Sequence, residues 1–309
     1  MAHSEVGGVG AGVGLRQVLL PVAAVIGATC AFQVGAALAK GLFPALGPQG
    51  TAALRIALGA VMLAALLRPW RSWPSQAPLL PMLGLGLATA GAILFFYMAL
   101  GRLPQGVAIA LQFLGPLAVA IAGSHRWRDL VWAALAAAGV WALLGRDLVG
   151  GQGHHLDLVG VAFALAAAAS WAAYIVWGQS ASRAFGGATP ALATGLAALV
   201  IVPVGVAHAG LPALLDLRLL PLALVVAVIS TAIPFTLEMY ALPRLPARTF
   251  AVLTSLEPAF GAMSGLILLH EALRPEQALG VAAVIAAAAG AAWTSRPAAH
   301  AAPTDAPPT

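Results

Sequence analysis

The chain has 309 residues, 61% of them hydrophobic and 8% charged, with a formal net charge of +5. Soluble domains carry about a quarter charged residues, so this composition cannot furnish a water-facing surface and excludes a soluble globule. The 15 basic residues stand singly between apolar runs, a topology signal rather than a nucleic-acid-binding surface.

A hydrocarbon core roughly 30 Å thick needs about 20 apolar residues per helix. After a Gly- and Ala-rich tail at 1–16, the first run, 18–39, is too long for a signal peptide and predicts a spanning helix. It holds the one cysteine, Cys30, which excludes an intrachain disulfide framework. Lys40 ends the run as an interfacial anchor. Spans at 49–67, 78–100, 104–123 and 130–145 follow, and a hydrophilic link runs from Arg146 to Asp157. Five further spans are predicted at 158–180, 190–209, 219–241, 249–269 and 277–295, before a disordered tail at 296–309. The expected fold class is all-α and integral to the membrane, with ten transmembrane helices. Tryptophans fall mostly near span ends, as an aromatic belt requires.

Alternate loops divide the basic residues unevenly. Arg16, Arg68, Arg71, Arg126, Arg128, Arg183, Arg244, Arg248 and Arg296 lie on one side, against Lys40, Arg102, Arg146, Arg218 and Arg274 on the other. Nine against five places both termini in the cytoplasm.

The chain also repeats itself. Tyr97-Met98-Ala99-Leu100-Gly101-Arg102-Leu103-Pro104 returns as Met239-Tyr240-Ala241-Leu242-Pro243-Arg244-Leu245-Pro246, an offset of 142 that also pairs Pro116 with Pro258. At offset 141, Thr29 and Gln33 align with Ser170 and Tyr174, each pair on one helix face, and the match stops where Lys40 meets Ala181. Two five-span repeats, 17–145 and 157–295, follow from this. An odd number of spans inverts the second relative to the first, an arrangement recurrent among transporters.

Three segments carry a family resemblance: Gly35 to Gly59, Tyr97 to Ala120, and Ser230 to Leu273. They resemble the drug/metabolite transporter superfamily and, within it, the EamA-type carriers, over essentially residues 17–294. Leu256-Glu257-Pro258 is general to the superfamily. The Thr236-Leu237-Glu238-Met239 and Arg244-Leu245-Pro246-Ala247-Arg248-Thr249-Phe250 run is similar to the subgroup of bacterial inner-membrane threonine/homoserine exporters. The resemblance implies ten helices, cytoplasmic termini and efflux of small hydrophilic amino acids driven by protons. One position departs from it: Gln112 stands where the exporter pattern carries Glu in the fourth span.

Arg55, Glu238 and Glu257 are the three formal charges inside the predicted spans. A charge at a helix centre costs about 2.5–3.5 kcal/mol on insertion scales, so each needs a cavity or a partner. Glu257 lies near mid-membrane on a face with Thr254, Gly261 and Ser264, suited to loading and releasing a proton; the alternative is a carboxylic acid bonded between helices. Arg55 fits a substrate carboxylate with its planar fork, or snorkels, or pairs with Glu257. Glu238 fits a substrate ammonium at the cytoplasmic mouth, or an interfacial pair with Arg244 or Arg248. Pro116 and Pro258 mark hinges and a midplane site between the halves. Gln33, Gln112 and Tyr174 supply neutral hydrogen-bonding groups to that site or pack between helices.

Catalytic and metal readings find no constellation. His154-His155 lacks ligands at metal spacing, and Gly261 to Gly265 lacks the serine-protease spacing and a buried His partner. His270-Glu271 with Arg274 and Glu276 reads as a solvated turn. The expectation is a secondary exporter in the bacterial inner membrane, with no cofactor, whose partners are a small amino-acid or metabolite substrate, protons and lipid. A carrier for another metabolite or a toxic cation is the alternative, ahead of a scaffold or intramembrane enzyme. Homodimerisation stays open, because small-residue spacings recur in every span and mark no one face.

Overall fold

A computed structural model describes residues 14–71, 78–122, 130–148, 157–241, 244–245 and 247–294. The tails, His154-His155, and Leu242, Pro243 and Pro246 of the second repeat motif lie outside the described residues. Every regular element among those described is helical. The first half contains α1 (Gly14–Ala39), α2 (Phe43–Leu67), α3 (Leu79–Leu100), α4 (Gln105–Gln112), α5 (Leu114–Ala122) and α6 (Leu130–Leu148). The second contains α7 (Leu158–Phe185), α8 (Thr189–Ala209), a short α9 (Leu211–Leu214), α10 (Leu220–Ala227), α11 (Ile233–Ala241), α12 (Ala247–Thr254), α13 (Glu257–Leu269) and α14 (Pro275–Thr294).

Seven helical segments among the described residues are long and apolar enough to cross a membrane. Two of them, Leu19–Leu67 and Leu158–Ala209, run 49 and 52 residues, about twice what a 30 Å core requires. Each is interrupted. A 3-10 turn at Lys40–Leu42 and Gly47 at φ 65° break the first, and Gly186, at φ 53°, opens a 3-10 turn through Ala188 in the other. The left-handed backbone at Gly47 favours glycine, and a Cβ there would stand 2.6 Å from His208 Nε2.

Large apolar side chains point outward: Leu199, Leu217 and Leu279 are all at least 70% exposed. Small residues such as Ala164, Ala167, Ala197 and Ala287 are buried between helices. This is the pattern of a bundle solvated by lipid, in which small residues let helix backbones approach. Gly115 is an instance, since a Cβ there would lie 2.1 Å from the Ala168 carbonyl oxygen on α7.

The helices pack in a definite scheme. α3 packs on α7 and α8, α2 on α8 and α10, and α1 on α11 and α13. α4 and α5 pack on α7, α4 on α13, and α6 on α14.

The sequence predicts spans at 104–123 and 249–269 with hinges at Pro116 and Pro258, and the structure interrupts both helices. α4 gives way to α5 at Phe113, and α12 to α13 at Ser255–Leu256. A proline has no N–H to donate and its ring collides with the carbonyl four residues back, which for Pro116 and Pro258 belongs to Gln112 and Thr254. The two breaks, at Phe113 and Ser255, are 142 positions apart, the offset of the repeated sequence motif. The 219–241 span is also interrupted, by a π-helical turn at Val228–Ala232.

Candidate functional site

The π turn determines where Arg55 goes. Ser230 sits within it and meets α2: Arg55 Nε donates to Ser230 Oγ at 2.7 Å and Nη2 donates to the Ser230 carbonyl oxygen at 3.0 Å. Ser230 Oγ in turn donates to the Val226 carbonyl. The guanidinium carbon lies 5.2 Å from the Phe32 ring centroid and 5.6 Å from that of Tyr97, within cation–π range. Arg55 is only 6% exposed, so it does not snorkel to an interface. The guanidinium fork has five N–H groups; Ser230 accepts from two of its nitrogens, and the Tyr97 side chain also faces it.

Glu257 opens α13, just past the break. Its carboxyl thereby meets the electropositive start of a helix inside the bundle. The residue is buried and Oε2 has no hydrogen-bond partner. The Glu238 carboxyl lies within electrostatic reach of both Glu257 and Tyr174. Arg244 is engaged elsewhere: Nη1 donates to the Tyr240 carbonyl at 2.7 Å, and the guanidinium lies over the Tyr240 ring. Gln112, the last residue of α4, is buried with Nε2 3.4 Å from the Ala92 carbonyl oxygen on α3.

Two turns along α13 from Glu257, at Ser264, a buried polar column begins between α1, α4 and α13. Gln105 Nε2 donates to the Gln33 carbonyl at 2.8 Å, to Gln33 Oε1 at 3.1 Å and to Ser264 Oγ at 3.0 Å. Gln33 Nε2 and Gln105 Oε1 are buried without partners. The backbone N–H of Gln105, at the start of α4, donates to Glu271 Oε2 at 2.7 Å. Glu271 Oε1 forms an ion pair with Lys40, whose Nζ lies 3.4 Å from the Leu103 carbonyl oxygen. Lys40 and Glu271 thus hold one another across the bundle, where the sequence suggests an interfacial anchor and a solvated turn.

Beside this column Asp157 caps α7, accepting from the Val159 and Gly160 N–H groups at 2.8 and 3.2 Å. The Arg102 guanidinium, 2.6 Å away, and these N–H donors hold its carboxyl below the usual carboxylate range.

Residues 158–293 match the EamA-like transporter family. Two bacterial proteins named threonine/homoserine exporter RhtA, from Escherichia coli and Salmonella typhimurium, are each 46% identical over 281 residues, covering 90% of this chain and 93% of their own. The chain belongs to the EamA-like transporter family. A crystal structure 19% identical superposes with a TM-score of 0.58, over 90% of this chain and 95% of that one, a likeness of fold. Membership of a transporter family sets the chain apart from the intramembrane enzymes.

Of the residues singled out in the sequence, Arg55, Gln33 and Glu257 are buried polar groups between helices. Glu238 lies within electrostatic reach of Glu257 and Tyr174, with Tyr174 itself 41% exposed. Gln105 is not among them, Ser264 enters only as a neighbour of Glu257 on its helix face, and Glu271 reads as part of a solvated turn. Serine and glutamine in an Ala/Leu-rich helix give no signal until the facing helix is known.

Proposed function

We propose that this protein is a secondary active exporter of small hydrophilic amino acids of the threonine and homoserine kind, working by proton antiport in the bacterial inner membrane. The observation that carries the substrate class is the 46% identity, over 90% of the chain, to proteins named for exporting threonine and homoserine.

The architecture in this reading is ten spans in two inverted five-helix repeats, with both termini cytoplasmic. The interruptions inside the 49- and 52-residue segments support it, since each divides one segment into two crossings. The packing scheme supports the two-fold relation: α3 on α7 has its mate in α11 on α1, and α3 on α8 in α10 on α2. Likewise α4 and α5 on α7 have their mate in α13 on α1. Matching breaks before Pro116 and Pro258 are the interrupted helices that transporters use at midplane sites.

In the mechanism, substrate and proton compete for the cavity around Glu257. The N–H groups of Arg55 that Ser230 leaves free receive the substrate carboxylate. Glu238 attracts the ammonium group. Gln33, Gln112 and Tyr174 offer neutral hydrogen bonds, and the halves rock about Pro116 and Pro258. Glu257 releases its proton to one side only after substrate has left on the other, which couples the two fluxes.

Cells exposed to a toxic load of homoserine test this. Expression is expected to lower internal and raise external homoserine and threonine, with the effect abolished by collapsing the proton gradient. Gln112 motivates a second reading, a carrier for another metabolite or a toxic cation. Export of such a compound without any effect on homoserine would favour it.

A further inference from the structure

The polar column shares Gln33 with the substrate site above and adjoins Glu257, but its outer part, Ser264, Gln105, Glu271 and Lys40, is not used there, and its chemistry is unlike that of a structural network. Buried polar networks that hold a fold together are saturated, because each unmet group costs free energy in a low-dielectric interior. This one leaves Gln33 Nε2 and Gln105 Oε1 unmet, as is Glu257 Oε2 at its inner end. Such groups need water or a passing ligand in some other state of the molecule. The column ends at an ion pair, Lys40–Glu271, with both side chains largely buried at 16% and 20% exposure.

Local backbone geometry aims Glu271 at that pair. His270 ends α13 in the left-handed region at φ 55°, one of two described non-glycine residues with positive φ. The chain reverses there, the Glu271 N–H reaches back to the Gly265 carbonyl at 3.0 Å, and its carboxylate lies across α1 and α4. A non-glycine residue in this conformation costs about 1 kcal/mol or more and persists where function requires it.

The repeat shows that the device is one-sided. At the offsets of 141 and 142, Lys40, Gln33, Gln105 and Ser264 correspond to Ala181, Tyr174, Ala247 and Ala122, none of which can reproduce the amide network or the cation, while Glu271 corresponds to Asp129, a carboxylate left without the lysine. A feature needed to hold the two-fold fold together would be expected in both halves.

We propose that Lys40, Glu271 and Gln105 form the outer gate of the transport pathway. The ion pair closes α1 and α13 over the column, and Gln105 links it to the chamber, its backbone to Glu271 and its side chain to Gln33 and Ser264. Breaking the pair opens the column to the periplasm. The side follows from the orientation proposed above, and the gate does not depend on which substrate is carried.

The test uses the full-length protein in membranes with Cys30→Ser, which removes the one native cysteine, and Ser264→Cys as reporter. A membrane-impermeant maleimide is applied from outside to intact spheroplasts and from inside to inverted vesicles. Glu271→Gln is expected to raise outside labelling at least about fivefold, the lower end of typical coupling between sites. Lys40→Met removes the same pair and serves where Glu271→Gln does not accumulate. The exchange Lys40→Glu with Glu271→Lys re-forms the ion pair without the Gln105 N–H acceptor, and is expected to restore protection in part, which a loss of fold would not. Equal labelling in all variants, or an increase confined to the cytoplasmic face, would overturn the gate. If labelling behaves as expected while homoserine is not exported, the substrate assignment fails and the gate stands.

Discussion

Arg55 on α2 and Ser230 in the π turn between α10 and α11 are 175 positions apart, and Arg55 Nε lies 2.7 Å from Ser230 Oγ. The turn inserts an irregularity that presents both a hydroxyl and a carbonyl to one edge of the guanidinium. π turns of this kind concentrate at functional sites. An arginine clamped on one edge presents its remaining N–H groups in a fixed direction, which a lysine cannot do. Arg55→Lys is therefore expected to raise KM for the amino acid by about tenfold or more with normal protein levels. Vesicle uptake over a range of substrate concentrations checks this, and an unchanged KM would remove Arg55 from the substrate site.

Ser230→Ala gives the complementary test. It removes the Nε acceptor but keeps the carbonyl contact, and a hydrogen bond to a charged group is worth about 1.5–3 kcal/mol. A lower melting temperature in detergent is expected, with a KM change smaller than that of Arg55→Lys. If Ser230→Ala were silent in both, the clamp would carry no orienting role.

Glu257→Gln separates coupling from binding. A glutamine there cannot load or release a proton, so homoserine accumulation driven by a pH gradient is expected to disappear. Exchange of labelled for unlabelled substrate across the membrane needs no net proton movement and is expected to persist. Retention of gradient-driven transport would place the coupling group elsewhere.

Gly115→Ala probes packing alone. Its Cβ would meet the Ala168 carbonyl oxygen at 2.1 Å, and overpacking of this kind costs typically about 1–3 kcal/mol. The expected outcome is reduced protein in the membrane and a lower melting temperature, with KM unchanged in what remains.

Asp157 gives a pH signature at the rim. Its carboxyl is held below the ordinary value of 3.8 by Arg102 and the α7 N–H groups, so the stability it contributes is present above that value and disappears as pH falls through its lowered pKa. Asp157→Ala is expected to lower the melting temperature at neutral pH, and the gap from the native protein is expected to narrow in acid below 3.8. A gap independent of pH would mean the cap acts without its charge.

Sequence reading went furthest where a residue stands out from an apolar background. Arg55 and Glu257 are conspicuous because charge inside a span is costly, and Pro116 and Pro258 because each disrupts helical hydrogen bonding. Spacing along the chain could not pair Lys40 with Glu271, 231 residues away, because that contact depends on α1 packing against α13. Glu271 also sits among His270, Arg274 and Glu276, a polar neighbourhood that resembles a solvated turn until the left-handed backbone at His270 folds it back. Gln105 was hidden for another reason. It sits at the start of a predicted span beside the Arg102-Leu103-Pro104 motif, and a polar residue at a span end asks for no partner. The breaks at Phe113 and Ser255–Leu256 were foreshadowed by the prolines, though the prolines alone do not say whether a helix bends or ends.

The most direct measurement is transport by the purified protein in proteoliposomes with an imposed pH gradient and labelled homoserine as substrate. Gradient-driven accumulation is expected, stopping when the gradient is collapsed and competed by threonine. Protein correctly inserted yet giving neither accumulation nor exchange of homoserine and threonine would contradict that expectation.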